Sequence, residues 1–311
     1  VKTDFKINKT LQKTKRRAAK TKPMSNIIRA RVIKSASNRF VLDTPNGLIS
    51  CSARKTVKQK SDIVAGDFVL VSKEADGFVL TEVLPRKNSL IRPLVANIDL
   101  VIAVAAATPK PDYFLIDKLI INANRQDIGV VLCLNKSDLS RELFAELTAQ
   151  YQFVVEGIAV TSAAHSDTKE LLCLLNGKLS CLAGQSAVGK SSLINALTGH
   201  NAQKTAAVSE KNERGKNTTT RAEIIKLSAD TYIIDTPGFS MLDMHGIARG
   251  ELDLYYPEYM QYAPQCKFHR CTHTVEPDCR VRTAAQAGEL NAARYRRYCV
   301  MHDALKAKKE Y

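Results

Sequence analysis

The sequence predicts a multidomain protein of three folded units in series: a small β-barrel, an α/β domain on a mostly parallel sheet, and a helical module organised by a metal. Three observations predict it. Short β-rich runs fill the first quarter of the chain after residue 24. Apolar runs alternate with amphipathic segments through the middle, and three Cys and a His crowd one polar loop near the end. A chain of 311 residues has room for two or three domains and can bury a sizeable core without disulfide staples.

Residues 1–24 form a basic tail. Its first 22 residues hold nine Lys and Arg against the one carboxylate of Asp4, so +8 of the chain's net +15 sits there. An arm with so little apolar content cannot fold alone, and its charge suits nucleic acid or another acidic surface. It has no apolar signal-peptide core. The longest uncharged apolar run, residues 100–107, is far short of the roughly 20 residues a membrane helix needs. A soluble, cytoplasmic protein with no membrane partner is expected.

The barrel is expected over 25–90. Runs at 27–33, 40–42, 47–52, 67–71 and 77–83 are separated by turn signals such as Pro45-Asn46-Gly47 and Ala75-Asp76-Gly77. Five short strands in so little chain point to an oligonucleotide-binding (OB) fold; a barrel that only docks or spaces is the alternative, since fold does not decide function. Over 91–245, strand-like runs at 100–106, 130–134, 153–160, 179–183 and 232–234 alternate with amphipathic segments such as 113–124 and 141–150, the βαβ pattern of a sheet covered by helices. In 246–311 the strands stop, and a Cys/His cluster precedes a basic, helix-like stretch over 284–308.

Chemistry enters at Gly184-Gln185-Ser186-Ala187-Val188-Gly189-Lys190-Ser191, a GxxxxGK[ST] motif between the run 179–183 and a helix-like stretch opening at Ser192. Its glycines let backbone N–H groups close on a β-phosphate, Lys190 reaches the β and γ oxygens, and the Ser191 hydroxyl can ligate Mg²⁺. Ser192, next in the helix, belongs to the same contact group. Asn135-Lys136-Ser137-Asp138, after the run 130–134, supplies a base reader. The Asp138 carboxylate can accept both N1–H and N2–H₂ of guanine, whereas adenine would leave it buried and unpaired. Asn135 would brace that loop and Lys136 would lie over the base. Thr161-Ser162-Ala163 can offer backbone N–H groups to the guanine O6.

The remaining parts of a GTP site are present. Asp235-Thr236-Pro237-Gly238 places Asp235 to hold the Mg²⁺ shell and the Gly238 N–H to sense a γ-phosphate. In Gly215-Lys216-Asn217-Thr218-Thr219-Thr220, within a polar stretch over 201–221, one of Thr218, Thr219 and Thr220 can complete that shell. Phe239 stands where many GTPases carry a water-orienting Gln, so slow unassisted hydrolysis is expected. The competing reading is a GTP-sensing, RNA-binding scaffold that scarcely hydrolyses.

Cys266, Cys271, His273 and Cys279 place three thiols and an imidazole within a short polar loop, a donor set suited to tetrahedral Zn²⁺ in a closed structural site; His269 is a second imidazole there. Cys51, Cys133, Cys173, Cys181 and Cys299 are scattered and read as small core residues.

The order of the motifs is informative. GTPases usually carry the P-loop first and the base reader last, whereas here Asn135 to Asp138 and Ser162-Ala163 precede the P-loop, so the domain reads as circularly permuted. With its barrel and Cys/His loop, the chain resembles the RsgA (YjeQ) family of small-ribosomal-subunit-dependent GTPases over residues 25 to 300. The resemblance implies hydrolysis of GTP to GDP and phosphate, stimulated by the small subunit during its late maturation, with the subunit and its rRNA as partners and one structural Zn²⁺; a monomer is expected. It matches His273, not His269, to the metal. Where that family usually has a His that helps place the attacking water, this chain has Asn217, whose amide can bond water but cannot titrate near neutral pH.

Overall fold

The computed structural model describes residues 27–36, 39–60, 62–75, 77–91, 94–137, 142–205, 223–235, 244 and 246–307. Side-chain alternation builds the first unit. Ala30 and Val32 point inward between outward Arg29 and Arg31, and Phe40, Leu42, Cys51, Val69, Val71 and Leu80 complete the filling. Strands β1 (Ile27–Ala36), β2 (Arg39–Thr44), β3 (Gly47–Ala53), β4 (Phe68–Glu74) and β5 (Gly77–Val83) close in the order β1-β2-β3-β5-β4, with β4 back on β1. Only the β3–β5 pair is parallel. This is the OB arrangement of a small closed Greek-key barrel. The short helix α1 (Lys55–Lys60) adds Val57 to its core.

A hairpin that the sequence reading did not foresee, β6 (Ser89–Ile91) and β7 (Leu94–Ala96), leads out of the barrel. The α/β sheet follows. It comprises β8 (Leu100–Ala106), β9 (Gly129–Asn135), β10 (Gly157–Val160), β11 (Leu179–Ala183), β12 (Glu223–Lys226) and β13 (Tyr232–Asp235), ordered β10-β9-β8-β11-β13-β12 and parallel except for the edge strand β12. Helices α2 (Tyr113–Asn124) and α3 (Glu142–Tyr151) cover one face through Ile116, Leu119, Ile120, Leu143 and Leu147. Helices α4 (Lys169–Leu175) and α5 (Lys190–Thr205) cover the other through Leu171, Leu175, Leu193 and Leu197. β8 and β11 are buried along their whole length, which is why β8 reads as an unbroken apolar run and β11 as one interrupted only by Ser180.

Two expectations for this domain need correction. The run 153–160 is a strand only from Gly157: Val154 and Val155 donate their N–H groups to the Tyr151 carbonyl, turning the chain off the end of α3, and Phe153 is 83% exposed. Cys173 is exposed, because Leu171 and Leu175 take the inner face of α4 and the residue midway between them faces out.

Beyond Gly246 no strand occurs among the described residues. Three 3₁₀ turns, Arg249–Tyr255, Pro257–Tyr259 and Ala263–Gln265, lead to α6 (Arg280–Gln286) and α7 (Ala292–Ala307). The helix-like stretch expected over 284–308 is therefore broken. Gly288 sits at φ +80°, and the Asn291 carboxamide restarts the helix by accepting from the N–H groups of Ala293 (3.0 Å) and Arg294 (3.1 Å). Tyr256 and Tyr259 stack at 5.0 Å between ring centroids, and Tyr298 meets both edge-on at 4.9 and 5.1 Å.

A buried ionic joint fixes this module to the sheet's helices. Asp117 on α2 accepts from Arg294 and Arg297 of α7 and from the Tyr151 hydroxyl (2.9 Å), while Arg294 also donates to Glu258. Asp117 and Arg294 are almost wholly excluded from solvent. The carboxylates of Glu258 and Asp117 more than offset the burial of Arg294 and hold its guanidinium charged.

Candidate functional site

The site lies where the strand order reverses. From β8 the chain winds outward through β9 and β10, then returns to the other side of β8 as β11, so the crevice between β8 and β11 opens at their carboxyl ends. Ligands of open α/β sheets bind at such a point.

There β11 runs into Gly184 at φ +143°, where a Cβ would stand 2.4 Å from the Val104 carbonyl oxygen of β8. Only glycine fits. Val188 is buried in the core, Ser186 and Ala187 face solvent, and Gly189 at φ +95° passes so close to Asn135 that a Cβ would meet its amide nitrogen at 2.4 Å. Helix α5 then begins at Lys190, with Ser191 and Ser192 exposed in its first turn. The Lys190 ammonium folds back on the loop, donating to the carbonyls of Gly184 (2.9 Å) and Gln185 (2.6 Å), and partial burial lowers its pKa by stripping water from the charge.

Asn135, at the end of β9, is 1% exposed and ties three segments together. Its amide nitrogen donates to the Val188 carbonyl (3.0 Å), and its oxygen accepts from the Ala163 N–H (3.2 Å) and the Thr161 hydroxyl (3.3 Å). Lys136, at φ +56°, lays its ammonium on the carbonyls of Ala187 (2.9 Å) and Thr108 (2.8 Å). Ser137 N–H donates to the Thr161 carbonyl (3.1 Å), and the Ser162 hydroxyl meets His165 Nδ1 at 2.8 Å. Asp235 closes β13, beside β11. Asp138, Asn217, Thr218, Thr219, Thr220, Gly238 and Phe239 lie outside the described residues, as does the basic tail. Two participants were missed at the sequence level: the Thr108 carbonyl, and Asp112, whose N–H donates to the Gln185 side chain (2.9 Å). The available signal was their place just after β8, the strand next to the P-loop strand.

The phosphate-loop motif is joined to the Asn135–Ser137 segment that precedes it in the chain, which is the permuted order expected from the sequence. The sequence model of the RsgA GTPase family matches residues 83–245. The chain belongs to the RsgA GTPase family. It is thereby a GTP-hydrolysing enzyme that uses guanine nucleotide. A relative from Ruminiclostridium cellulolyticum, called small ribosomal subunit biogenesis GTPase RsgA, is 40% identical over 75% of this chain and 77% of its own. The crystal structure of YjeQ from Thermotoga maritima superposes with a TM-score of 0.79 at 33% identity, covering 91% of this chain and all of that one. YloQ, described as a circularly permuted GTPase, gives 0.78 at 27% identity over 94% of this chain and all of its own.

The second site is the Cys/His loop. The donor atoms of Cys266, Cys271, His273 and Cys279 all lie within 4.8 Å of one another. His273 Nδ1 is 3.5 Å from the sulfurs of Cys266 and of Cys279, which are 3.9 Å apart. Zn–S bonds of about 2.3 Å and a Zn–N bond of about 2.0 Å at tetrahedral angles need S–N and S–S edges of about 3.5 and about 3.8 Å. The residues therefore fit zinc. Burial opposes an imidazolium at His273, but the Asp253 carboxylate, 3.7 Å from Nε2, and the Cys266 sulfur outweigh it and raise the pKa. The loop is strapped from within. Glu276 accepts from the Thr272 hydroxyl (2.6 Å) and the N–H groups of Thr272 (2.8 Å) and Thr274 (3.2 Å), and these bonds overcome partial burial to bring its carboxyl down to about 2. Tyr295 and Tyr298 donate to the carbonyls of His273 (2.8 Å) and Thr272 (2.7 Å), and the Cys279 sulfur caps α6 by accepting from the Arg282 N–H. His269 is exposed.

Proposed function

We propose that GTP binds across the carboxyl edge of the sheet, its phosphates in the loop of residues 184–191 and its guanine against residues 135–138 and 162–163. The observation that carries the reading is the contact of Asn135 with Val188, which makes base reader and phosphate loop one rigid surface. In this reading Lys190 leaves the Gly184 and Gln185 carbonyls for the β and γ oxygens and stabilises the charge that develops on the transferring phosphoryl group. Ser191, Asp235 and one of Thr218, Thr219 and Thr220 would hold Mg²⁺, which when bound neutralises phosphate charge. Asn217 orients water and Gly238 senses the γ-phosphate. The metal loop takes one structural Zn²⁺.

The names of the relatives support small-subunit biogenesis as the setting. We assign this chain a cytoplasmic, monomeric role on the small ribosomal subunit and its rRNA, with turnover stimulated by the subunit. Its working division is tail 1–24, barrel 25–90, GTPase domain 91–245 and zinc module 246–311. Nucleotide titration tests the base assignment: GTP should bind far more tightly than ATP, and Asp138→Asn should weaken GTP while improving xanthosine triphosphate, because the new amide donates to the xanthine O2 and clashes with guanine N1–H. Unchanged GTP affinity in Asp138→Asn contradicts it.

A further inference from the structure

Where the barrel meets the α/β sheet, a cleft of about 780 Å³ opens between β1 and β4 on one side and β12 and β13 on the other. Its barrel wall is cationic and aromatic. The guanidinium groups of Arg29 and Arg31, outward neighbours on β1, both lie over the ring of Phe68, at 4.3 and 4.5 Å from its centroid. Arg31 also lies over Tyr232 at 4.9 Å. The opposite wall is already neutralised: Asp43 reaches across from β2 to accept from Lys226 and from the Tyr232 hydroxyl, each at 2.6 Å. Asp230, also on the rim, is exposed.

Arg31 is the unexplained member. Its Nη1 is buried and has no hydrogen-bond partner among the described residues; burial lowers its pKa, the charges of Asp99 and Asp43 offset only part of that, and the like charge of Arg29 adds to it. The two carboxylates act on Arg31 without hydrogen-bonding Nη1, and a buried N–H left without an acceptor is costly, a cost that an anionic ligand in the cleft would relieve. The fork of Arg31 and the exposed Arg29 can grip one phosphate between them. The open cleft is larger than a lone phosphate requires, and guanidinium groups beside aromatic rings are the equipment of single-stranded nucleic-acid channels.

We infer that this cleft is a second anion site, in which Arg29 and Arg31 seat a phosphodiester of an RNA strand running between the barrel and β12. The inference rests on the RNA-binding reading above. It places the strand away from the β2–β3 face that OB barrels commonly offer to oligonucleotides. It also sets the RNA against Lys226 on β12, the strand that begins directly after residues 206–222, and the Lys34–Glu223 ion pair links that strand to β1. RNA held there touches the enzyme and the barrel at once.

The test is binding of a uridine oligonucleotide to the full chain over a salt series, with thermal unfolding as the check on folding. Arg29→Gln/Arg31→Gln should bind about tenfold more weakly at about 0.1 M salt. The slope of log K against log salt should be shallower by about 0.7, the loss of one neutralised phosphate on a single strand. Arg31→Lys keeps the charge and loses the fork, so it should weaken binding and leave the slope in place. Unstimulated GTP turnover should not change in any of them. If the double variant unfolds early, Arg29→Gln alone, at an exposed position, should still weaken binding and flatten the slope by part of that amount. Wild-type affinity and slope in the variants overturn the site while leaving RNA binding intact. Failure of the wild-type chain to bind RNA overturns the RNA-binding reading, and the occupant of this cleft with it.

Discussion

At the carboxyl edge of the sheet the groups that meet are far apart in the chain: Asn135 contacts Val188, 53 residues on. At the metal loop, four donors come from residues 266 to 279. The edge is held by strands with fully buried side chains and by glycine backbone, and these persist whatever is bound. The metal loop has no strand ladder. Its backbone is held by side chains, Glu276 and two tyrosines, and by whatever sits among the sulfurs. The difference teaches where each region fails. The edge should lose chemistry while keeping its fold, and the loop should lose its fold and leave the chemistry behind.

The largest effect should come from removing the metal. Cys271→Ser or chelation deletes binding energy that is also folding energy for the module, so residues from about 246 onward should lose amide protection while GTP affinity stays within about twofold. Less than one equivalent of metal in freshly prepared protein, or a disulfide among these cysteines, contradicts the assignment. Next comes the joint between the regions. Asp117→Ala leaves the buried Arg297 without its carboxylate and Arg294 with Glu258 alone, and should cost about 3–5 kcal/mol, read by denaturant unfolding; a cost below about 1 kcal/mol would show that the module is held by its apolar contacts instead.

That joint was not legible in the sequence. Asp117 sits on an amphipathic helix, and its partners lie 177 and 180 residues away, so no local pattern links them. The same holds for Asp43 with Lys226 and Tyr232, 183 and 189 residues apart. What was legible is what depends on neighbours in the chain: the five barrel strands, whose side chains alternate, the buried strands β8, β9, β11 and β13, and the phosphate loop and Cys/His loop, whose spacing carries their geometry. The strand expected from Phe153 overran because Val154 and Val155 look β-forming while the end of α3 requires a turn there. The helix expected over 284–308 overran because Gly288 and Asn291, a stop and a restart, were read as interior residues.

On the edge, Lys190→Ala should lower kcat at least about a hundredfold by removing the charge that the proposed site brings to the phosphates, with the thermal midpoint and metal content of the module unchanged. A parallel loss of metal would erase the contrast between the regions. The smallest effect belongs to the tail. Deleting residues 1–22 should flatten the salt dependence of small-subunit binding through lost counterion release and leave unstimulated turnover as it was; normal binding across the salt series would make the arm a passive extension.

The most direct measurement is phosphate release from GTP and from ATP by the full chain, alone and with purified small ribosomal subunits. Slow release from GTP alone, a saturable rise with small subunits and no comparable release from ATP are predicted, since the proposed site reads guanine at the edge and Phe239 and Asn217 offer neither a Gln nor a His to the attacking water. GTP turnover that small subunits leave unchanged, or ATP hydrolysed as readily as GTP, would contradict it.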